Sequence, residues 1–566
     1  MQNPDQHPRQ LPEWADPGVP ADVLDAQGLS RRGLLQRAGL FGAGFLGASA
    51  LGGAAPALAA DTKVSAGDRD VPPPTYAYLV GDHHVHTVYS NDAKYTLSQQ
   101  AMRAAQFGLD WMAYTEHSHV GHRDIGAELE RAEIATARAE NPRMLIFQGL
   151  EWYIPAAEHA TVLVAPGANE ASVLREFERR WDGRLNNWTE GAAGNPATAD
   201  NEAKAVEAVR WLAEQKRAGV IDDALLLANH PARLGIDSPH ELRNWRDADP
   251  SLFVGMEGAP GAQGAALPGW RGSNSVRGEY ENSPTSQSWA GYPAAAYVTY
   301  GGFDWMTATV GGMWDAMLAE GKLFSITSNS DSHRTVFDTW ANGSYPAGKT
   351  FESTGKLPDP VQTSSPQPGS DFWPGQFSRT HVGVSGYGYR QVMDGLRAGR
   401  VWVDHGQLID GLDVWAVSDR QDLEPVTLGG RLRVRRGDRM SLYVTVTTAS
   451  RPNFHGVLPQ LAHVDVIRGA VTGPAADRDS WRAPDTRVVE RVDVTGRTGT
   501  YTLRVQLRKL ESSFYLRLRG SDGRRHGVGL LGADIDPAGP LAGVRGDDDP
   551  WLDTWFYSNP IFVDVG

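Results

Sequence analysis

Short apolar runs alternate with amphipathic stretches between Tyr76 and about Asp404. The runs YAYLV, LDWMAYTEH, MLIFQGLEW, HATVLV and ALLLANHP have the length of buried strands. The stretches between them, such as LSQQAMRAAQFG and the segment 202–219, carry apolar residues at helical spacing. Alternating strands and helices with apolar strands are typical of a parallel α/β sheet or barrel. The pattern therefore predicts an α/β barrel domain over 76–405.

Two segments depart from this alternation, and the pattern changes again after residue 405. Segment 169–200 is rich in Trp, Asn and Gly, and segment 340–373 is rich in Gly, Pro, Ser and Thr. We expect both to be insertions over one face of the barrel. Residues 406–566 contain short alternating runs such as SLYVTVTTAS, LAHVDVIRGA and TYTLRVQL. They predict an antiparallel, sandwich-like C-terminal β domain.

The first 60 residues have the layout of an export signal. Arg31 and Arg32 precede a Gly/Ala-rich apolar stretch that ends in small residues around Ala57–Ala60. The paired arginines indicate the twin-arginine export machinery, and the apolar stretch is short and glycine-rich for a membrane span. We predict a twin-arginine signal over 1–60, a linker over 61–75, and a secreted mature chain without an integral membrane span. We expect the mature chain to be extracellular, or on the cell-wall or periplasmic side of the membrane.

Composition narrows the chemistry. The chain of 566 residues has a formal net charge of -14, which disfavours nucleic acid as a partner. It contains no cysteine, so disulfides, thiolate nucleophiles and iron–sulfur clusters are excluded. Any metal must be held by His, Asp and Glu. No pattern in the sequence indicates an oligomeric state.

Candidate metal ligands cluster where the apolar runs end. The stretch GDHHVHTVYSND, residues 81–92, places His84 and His86 on one face of a strand and His83 on the other. Residues of the same types end or open the other runs: Glu116, His117, Glu151, His159, His230, Asp331 and His333. Ligands at the carboxyl ends of barrel strands converge on one mouth. The sequence therefore predicts a multinuclear site whose N and O donors suit Zn, Mn or Fe.

In order along the chain, DHHVHT, TEHSH, GLEW, EHATVLV, NHP and SDSH resemble the motifs of the PHP (polymerase and histidinol phosphatase) metallohydrolases. The resemblance covers roughly Tyr76–His333. It implies a distorted (βα)7 barrel that holds two or three divalent metal ions. The segments 390–403 (RQVMDGLRAGRVWV) and 555–563 (WFYSNPIFV) further resemble the carbaryl-hydrolase-like branch, which pairs the barrel with a C-terminal β domain.

The resemblance also implies a role for each candidate. The implied ligands are His84 and His86 for one metal, Asp92, His117, Glu151 as a bridge between two metals, His159 and His230 for a third metal, and the final pair Asp331 and His333. One departure is visible, because the second motif usually reads Thr-Asp-His and here reads Thr-Glu-His. If that acid orients the ligand, Glu116 orients His117 with a longer arm. His119 and His122 are extra histidines that we do not expect to be ligands.

The implied activity is hydrolysis of a small-molecule ester by a metal-bridging hydroxide, with phosphate esters as the first hypothesis. Asp331 or His333 would accept or relay a proton. Arg233 and Arg334, which lie close to ligands in sequence, would bind an anionic group of the substrate.

Two alternatives remain open at the level of sequence. The same centre could hydrolyse a carbamate, an amide or a carboxylic ester, and a tryptophan-lined pocket would favour such an uncharged aromatic substrate. Trp188, Trp245, Trp305 and Trp373 are the tryptophans that raise this option, although core packing is their default role. The chain could also be a non-catalytic exported binding protein, a hypothesis that an intact ligand set disfavours.

Overall fold

The structure is a computed structural model that describes residues 63–66, 73–188, 198–259, 261, 283–297, 299–335, 338–420, 424–523 and 554–566. The predicted export signal over 1–60 and most of the predicted linker lie outside these residues. Among the described residues, no helix combines the length and the apolar character that crossing a membrane requires.

The regular elements follow the predicted change from mixed to all-β structure. The α-helices are α1 (Leu97–Gln106), α2 (Ala127–Glu140), α3 (Glu170–Trp181), α4 (Ala199–Arg217), α5 (Pro239–Ala248), α6 (Trp305–Ala308), α7 (Met313–Ala319), α8 (Phe351–Thr354) and α9 (Tyr389–Arg397). The strands of the α/β part are β2 (Ala77–Val85), β3 (Trp111–His117), β4 (Leu145–Tyr153), β5 (His159–Val164), β6 (Ala224–Ala228), β7 (Phe253–Ala259), β8 (Ser325–Ser328), β9 (Trp340–Asn342), β10 (Pro360–Gln362), β11 (Ser378–Val384) and β12 (Val401–His405), and β1 (Lys63–Ala66) precedes them. The C-terminal strands are β13 (Ile409–Ser418), β14 (Val426–Thr427), β15 (Arg431–Val434), β16 (Met440–Thr448), β17 (His463–Ala470), β18 (Arg487–Asp493), β19 (Thr500–Leu507), β20 (Phe514–Ser521), β21 (Trp555–Ser558) and β22 (Ile561–Val565).

The α/β part is built on a mixed sheet, and the predicted closed barrel is not confirmed. Strands β2, β3 and β4 are parallel, β5 is antiparallel to β4 and to β6, and β6, β7 and β8 are parallel again. No strand ladder joins β8 to β2 in the described residues, where the contact is the isolated bridge Val85–Ser332. The Thr380 hydroxyl accepts from Ser328 N at 2.8 Å and donates to Ser328 O at 2.6 Å. A side chain thus satisfies backbone groups that a closing strand would otherwise pair.

Helices cover this sheet, and their starts are encoded locally. Thr96 and Gln99 form a capping box at α1, and Ser238 and Glu241 form one at α5. Helix α3 occupies the start of the predicted insertion 169–200, and its Val173, Leu174 and Phe177 belong to the main core. The first half of that segment is therefore a core helix rather than an insertion, because its apolar residues recur at helical spacing.

The C-terminal part has the predicted sandwich character. One sheet runs β1-β19-β16-β13-β14, and strands β15, β22, β20, β17 and β18 face it. Side chains such as Val444, Val505, Val466 and Leu518 form the core between these layers. Strand β21 pairs with both β12 and β20, so one large sheet continues from the α/β part into the C-terminal part. The change in sequence pattern at residue 405 is therefore not a break in the sheet.

Candidate metal centre

The candidate ligands lie together at one edge of the mixed sheet. His84 is near the end of β2 with His86 just beyond it, and His117 is the last residue of β3. His159 opens β5, and because β5 runs antiparallel its first residue lies at the same edge as the ends of its neighbours. The remaining candidates also lie at this edge: Glu151 on β4, His230 after β6, and Asp331 and His333 after β8. The candidate ligands predicted from the ends of the apolar runs therefore lie close together at one edge of the sheet.

Glu151 is at the centre of this group. Five histidine nitrogens lie within 3.4 Å of its carboxylate oxygens: His84 Nε2 (3.2 Å), His86 Nε2 (3.4 Å), His117 Nδ1 (2.8 Å), His159 Nδ1 (3.0 Å) and His230 Nε2 (3.1 Å). The side chain is only 1% exposed. A buried carboxylate surrounded in this way is positioned to contact more than one bound cation.

The open side of the cluster is formed by Asp331, His333 and Asp92. Asp331 Oδ1 lies 3.2 Å from Nε2 of both His84 and His86. His333 Nε2 lies 3.2 Å from His117 Nε2, and Asp92 Oδ2 lies 3.3 Å from the same atom. The Asp92 side chain is 49% exposed, so the cluster is open to solvent on this side.

Three groups of ligand atoms could each hold a metal ion. They are His84, His86 and Asp331; His86, His117 and His333; and Glu151, His159 and His230, with the ligand atoms of each group within 4.8 Å of one another. Several buried atoms of the cluster make no hydrogen bond of acceptable geometry within the described residues: Asp92 Oδ1, His117 Nδ1, Glu151 Oε2, His230 Nδ1 and Asp331 Oδ1. Buried polar atoms without partners are costly, and a coordinated cation would satisfy them. The residues present therefore fit two or three divalent ions with N and O ligands, as expected for Zn, Mn or Fe.

The electrostatics of the cluster favour positive charge. Burial lowers the pKa of His84, but the carboxylates of Asp331, Glu151 and Glu257 outweigh this effect and hold it well above its usual range. The pKa values of His117, His230 and His333 are raised in the same way, by nearby acidic groups that offset burial. Burial alone would raise the pKa of Glu151, but the surrounding histidines have the larger, opposite effect and hold it well below its usual range. Ionised carboxylates thus stabilise cations at this site, whether protons or metal ions.

Neighbouring polar side chains orient two of the candidate ligands. His84 Nδ1 lies 2.6 Å from Glu257 Oε1 and donates to it, which leaves Nε2 to face Glu151. His86 Nδ1 lies 2.9 Å from Ser90 Oγ, and that hydroxyl donates to Glu116 at 2.6 Å, so His86 Nδ1 is the donor of this pair. Partners of this kind fix the tautomer of a metal-binding histidine.

Glu116 acts on His117 only indirectly. Its carboxylate accepts from the Thr87 backbone N–H and hydroxyl and from the Ser90 hydroxyl. Ser90 Oγ in turn accepts from the backbone N–H of His117 at 2.9 Å. Glu116 therefore contacts neither histidine directly. It holds the Ser90 hydroxyl, which in turn contacts both His86 and His117.

Two candidate ligands lie on strained backbone, and hydrogen bonds to acidic side chains hold their loops in place. His230 has a backbone φ of 29° and Asp331 has a φ of 47°, values that residues other than glycine rarely adopt. The backbone N–H of His230 donates to Glu257 Oε2 at 2.7 Å. Asp371, from the segment predicted as an insertion over 340–373, accepts from the backbone N–H of His333 at 2.6 Å. Backbone strain is concentrated at functional sites in proteins, so the φ values of His230 and Asp331 support their choice as candidate ligands.

The arginines predicted to bind an anion have partners within the protein. Arg233 Nη1 lies 3.3 Å from Glu158 Oε2, and Arg334 Nε donates to the backbone oxygen of Asp92 at 2.9 Å. Sequence reasoning missed a third arginine near the mouth. Arg184 is exposed and donates to the Tyr153 hydroxyl at 2.9 Å. The Tyr153 ring centroid lies 4.3 Å from that of His159 and 5.7 Å from that of His117.

The tryptophans that suggested an aromatic pocket are core residues in three of four cases. Trp245 and Trp305 are each 1% exposed and belong to the main core. Trp373 is 8% exposed and packs against Tyr95, with ring centroids 4.2 Å apart. Trp188 is half-buried beneath the ammonium of Lys204. These tryptophans therefore do not support an uncharged aromatic substrate.

The histidines not expected to be ligands lie outside the three groups. His83 lies between Thr161 Oγ1 at 3.2 Å and Thr327 Oγ1 at 2.7 Å. His122 Nδ1 lies 3.1 Å from Glu178 Oε2, and His119 is half-buried. Of the functional residues that sequence reasoning missed, Glu257 carried a signal, because it ends the apolar run FVGME in the same manner as the other ligands.

Comparison with known proteins places few limits on these assignments. No family model matches the chain. No curated protein matches it either. Among solved structures it is similar to a two-domain protein from Bacteroides vulgatus described as containing a predicted PHP-like metal-dependent phosphoesterase, at 13% identity and a TM-score of 0.30, over 87% of this chain and 100% of that chain. These values are below those of proteins that share a fold closely, and this likeness does not establish a function for the chain.

Proposed function

We propose that this protein is a metal-dependent hydrolase that cleaves phosphate esters. The observation that carries the proposal is the convergence of three ligand groups on the buried carboxylate of Glu151. In this proposal His84, His86 and Asp331 hold one ion, and His117 and His333 hold another with Asp92 beside them. Glu151, His159 and His230 hold a third.

The protein's own residues supply the remaining chemistry. Bound divalent ions contribute Lewis acidity and lower the pKa of a coordinated water toward neutrality. Of the two residues expected to move a proton, Asp331 is the better placed, because its Oδ1 faces both His84 and His86 at 3.2 Å and its side chain is 21% exposed. His333 Nδ1 donates to the backbone oxygen of Asp331 at 2.9 Å, which leaves Nε2 as the nitrogen with a free lone pair toward His117.

An anionic substrate is favoured by the charges at the mouth. Arg184 forms no ion pair within the part of the chain that the structure describes, and its hydrogen bond to Tyr153 holds it beside the ligand histidines. A guanidinium binds phosphate oxygens with paired hydrogen bonds. Arg184 therefore joins Arg334, which is also exposed and, within the described residues, is bonded only to a backbone oxygen, as a candidate anion-binding residue, whereas Arg233 faces the carboxylate of Glu158.

The proposal is tested on protein reconstituted with Zn²⁺, Mn²⁺ or Fe²⁺ in turn. We expect hydrolysis of 4-nitrophenyl phosphate or bis(4-nitrophenyl) phosphate that a chelator abolishes and added metal restores. Activity confined to 1-naphthyl N-methylcarbamate or 4-nitrophenyl acetate would replace this proposal with the carbamate and ester alternative. Failure to take up any ion would favour a non-catalytic binding protein.

Secretion is a separate proposal, supported by the N-terminal sequence alone. Replacing Arg31 and Arg32 with lysine should trap the full-length protein in the cytoplasm, because the twin-arginine route depends on that pair. Cell fractionation and immunoblotting measure the outcome. Unchanged export of the double variant would contradict it.

A further inference from the structure

Glu158 lies on the opposite side of the His159–His230 pair from Glu151. Glu151 Oε1 faces His159 Nδ1 at 3.0 Å and His230 Nε2 at 3.1 Å. Glu158 Oε2 faces the other nitrogen of each ring, His159 Nε2 at 3.8 Å and His230 Nδ1 at 3.6 Å. Two carboxylates therefore enclose the two imidazoles, one at each side.

This arrangement determines which nitrogen of each ring carries a proton when an ion binds beside Glu151. Coordination uses the lone pair of the nitrogen that faces Glu151, so the opposite nitrogen of a neutral imidazole must be an N–H. Both N–H groups then point toward the same oxygen of Glu158. The present separations of 3.8 and 3.6 Å are longer than hydrogen bonds, so the inference requires the Glu158 carboxylate to move closer to the rings when the ion binds. His230 Nδ1 is buried and has no hydrogen-bond partner in the described residues, which leaves it available for this role.

The surroundings hold Glu158 in place. Its side chain is 6% exposed, and its backbone N–H donates to Asp237 Oδ1 at 2.9 Å. Arg233 Nη1 lies 3.3 Å from the same Oε2 that faces the histidines. The guanidinium therefore offsets part of the negative charge that the two rings would otherwise meet.

We propose that Glu158 is a positioning residue for the ion held by Glu151, His159 and His230, and that Arg233 weakens its effect. The inference rests on the proposed function, since it assumes that this group binds a metal. It assigns Arg233 to tuning the affinity of one ion rather than to binding substrate. It also predicts that this ion responds to changes at residue 158 independently of the ions held by the other two groups.

The test measures Zn²⁺ binding rather than activity. Wild-type protein, Glu158→Gln, Arg233→Met and the control Glu352→Gln are titrated against a chromophoric zinc chelator, and bound zinc is counted by mass spectrometry. The control carboxylate lies 3.7 Å from Nε2 of the non-ligand His119 and is 56% exposed. Loss of an orienting carboxylate typically weakens metal binding by about 10- to 100-fold, so Glu158→Gln should weaken one ion by that factor and leave the others unchanged. Arg233→Met should tighten the same ion, by about fivefold for the loss of one partly exposed opposing charge.

The opposite signs keep the proposal falsifiable. Unchanged zinc affinity in Glu158→Gln, or equal weakening of every ion, would overturn it. If Glu158→Gln does not fold, Arg233→Met alone decides, because a folding defect would not strengthen binding, and weaker or unchanged affinity would overturn the proposal. Wild-type protein that binds no zinc would overturn the proposed function as well, whereas normal wild-type binding with an unaffected Glu158→Gln removes only this inference.

Discussion

Replacing Glu151 with glutamine keeps the shape of the central side chain and removes one negative charge from among five histidine nitrogens at 2.8–3.4 Å. An amide is a poor ligand for Zn, Mn or Fe compared with a carboxylate, and its N–H groups repel a cation. A site of four ligands typically binds zinc with about 10–16 kcal/mol, so one ligand contributes about 2.5–4 kcal/mol. We therefore expect Glu151→Gln to bind the ion shared with His159 and His230 about 100- to 1,000-fold more weakly.

Chelator competition and metal content after dialysis measure this effect, and the rate of phosphate-ester hydrolysis measures its consequence. Glu178→Gln is the matched control. Glu178 is also a fully buried carboxylate with a histidine nitrogen at 3.1 Å, but its partner His122 lies outside the ligand groups. The control should keep its full metal content. If Glu151→Gln kept the wild-type metal affinity and hydrolysis rate, Glu151 could not be a ligand of this ion. The assignment of the whole metal centre would then fail.

Three further predictions follow from the charges around the centre. Metal binding should release protons and should become weaker at lower pH, because four candidate ligand histidines have raised pKa values in the metal-free protein and must deprotonate to bind an ion. Calorimetry in buffers of different ionisation enthalpy measures the proton release. Metal binding without proton release would contradict the assignment of these histidines as ligands. Arg184→Met should lower kcat/KM for anionic phosphate esters by about 10- to 100-fold through the loss of a charge-assisted hydrogen bond, whereas Arg179→Met, on the exposed side of α3, should have no effect; equal effects of the two variants would refute the role of Arg184. Burial alone would lower the pKa of His122, but the carboxylates of Glu178 and Glu130 have the larger effect and raise it to about 10. The protonated histidine therefore stabilises the fold fully below pH 6.5, and this stabilisation is lost as the pH rises toward 10. The difference in melting temperature between wild type and His122→Gln should therefore shrink across that range, and a difference that grows would contradict it.

Much of the site could be predicted because strand-end residues obey a local rule. Apart from Asp92, which lies in the loop after β2, each candidate ligand closes or opens an apolar run, and neighbouring strands place such residues at one edge of a sheet. The rule also holds for His159, although β5 is antiparallel, because it opens its strand rather than closing it. Glu257 follows the same rule, and the sequence could have identified it.

The orienting residues could not be found in this way. Asp371 reaches His333 from a distant segment that has no periodic pattern, and Arg184 reaches the mouth from the loop after α3. Ser90 is one of many serines until its hydroxyl is seen between Glu116 and His86. Each of these contacts depends on side-chain direction and loop course, which residue spacing does not specify.

By itself, the sequence determined that the chain has an α/β part followed by an all-β part, and that any metal centre is built from His, Asp and Glu, because periodicity and residue type are local properties. Only the tertiary structure decided that the sheet is mixed and, over the described strands, not closed, since that depends on strand direction and on side chains such as Thr380 that bind free backbone groups. It also placed Arg233 beside Glu158 and three of the four candidate tryptophans in the core. A guanidinium pairs with whichever carboxylate the fold brings nearest, and that choice is made by packing across the whole chain.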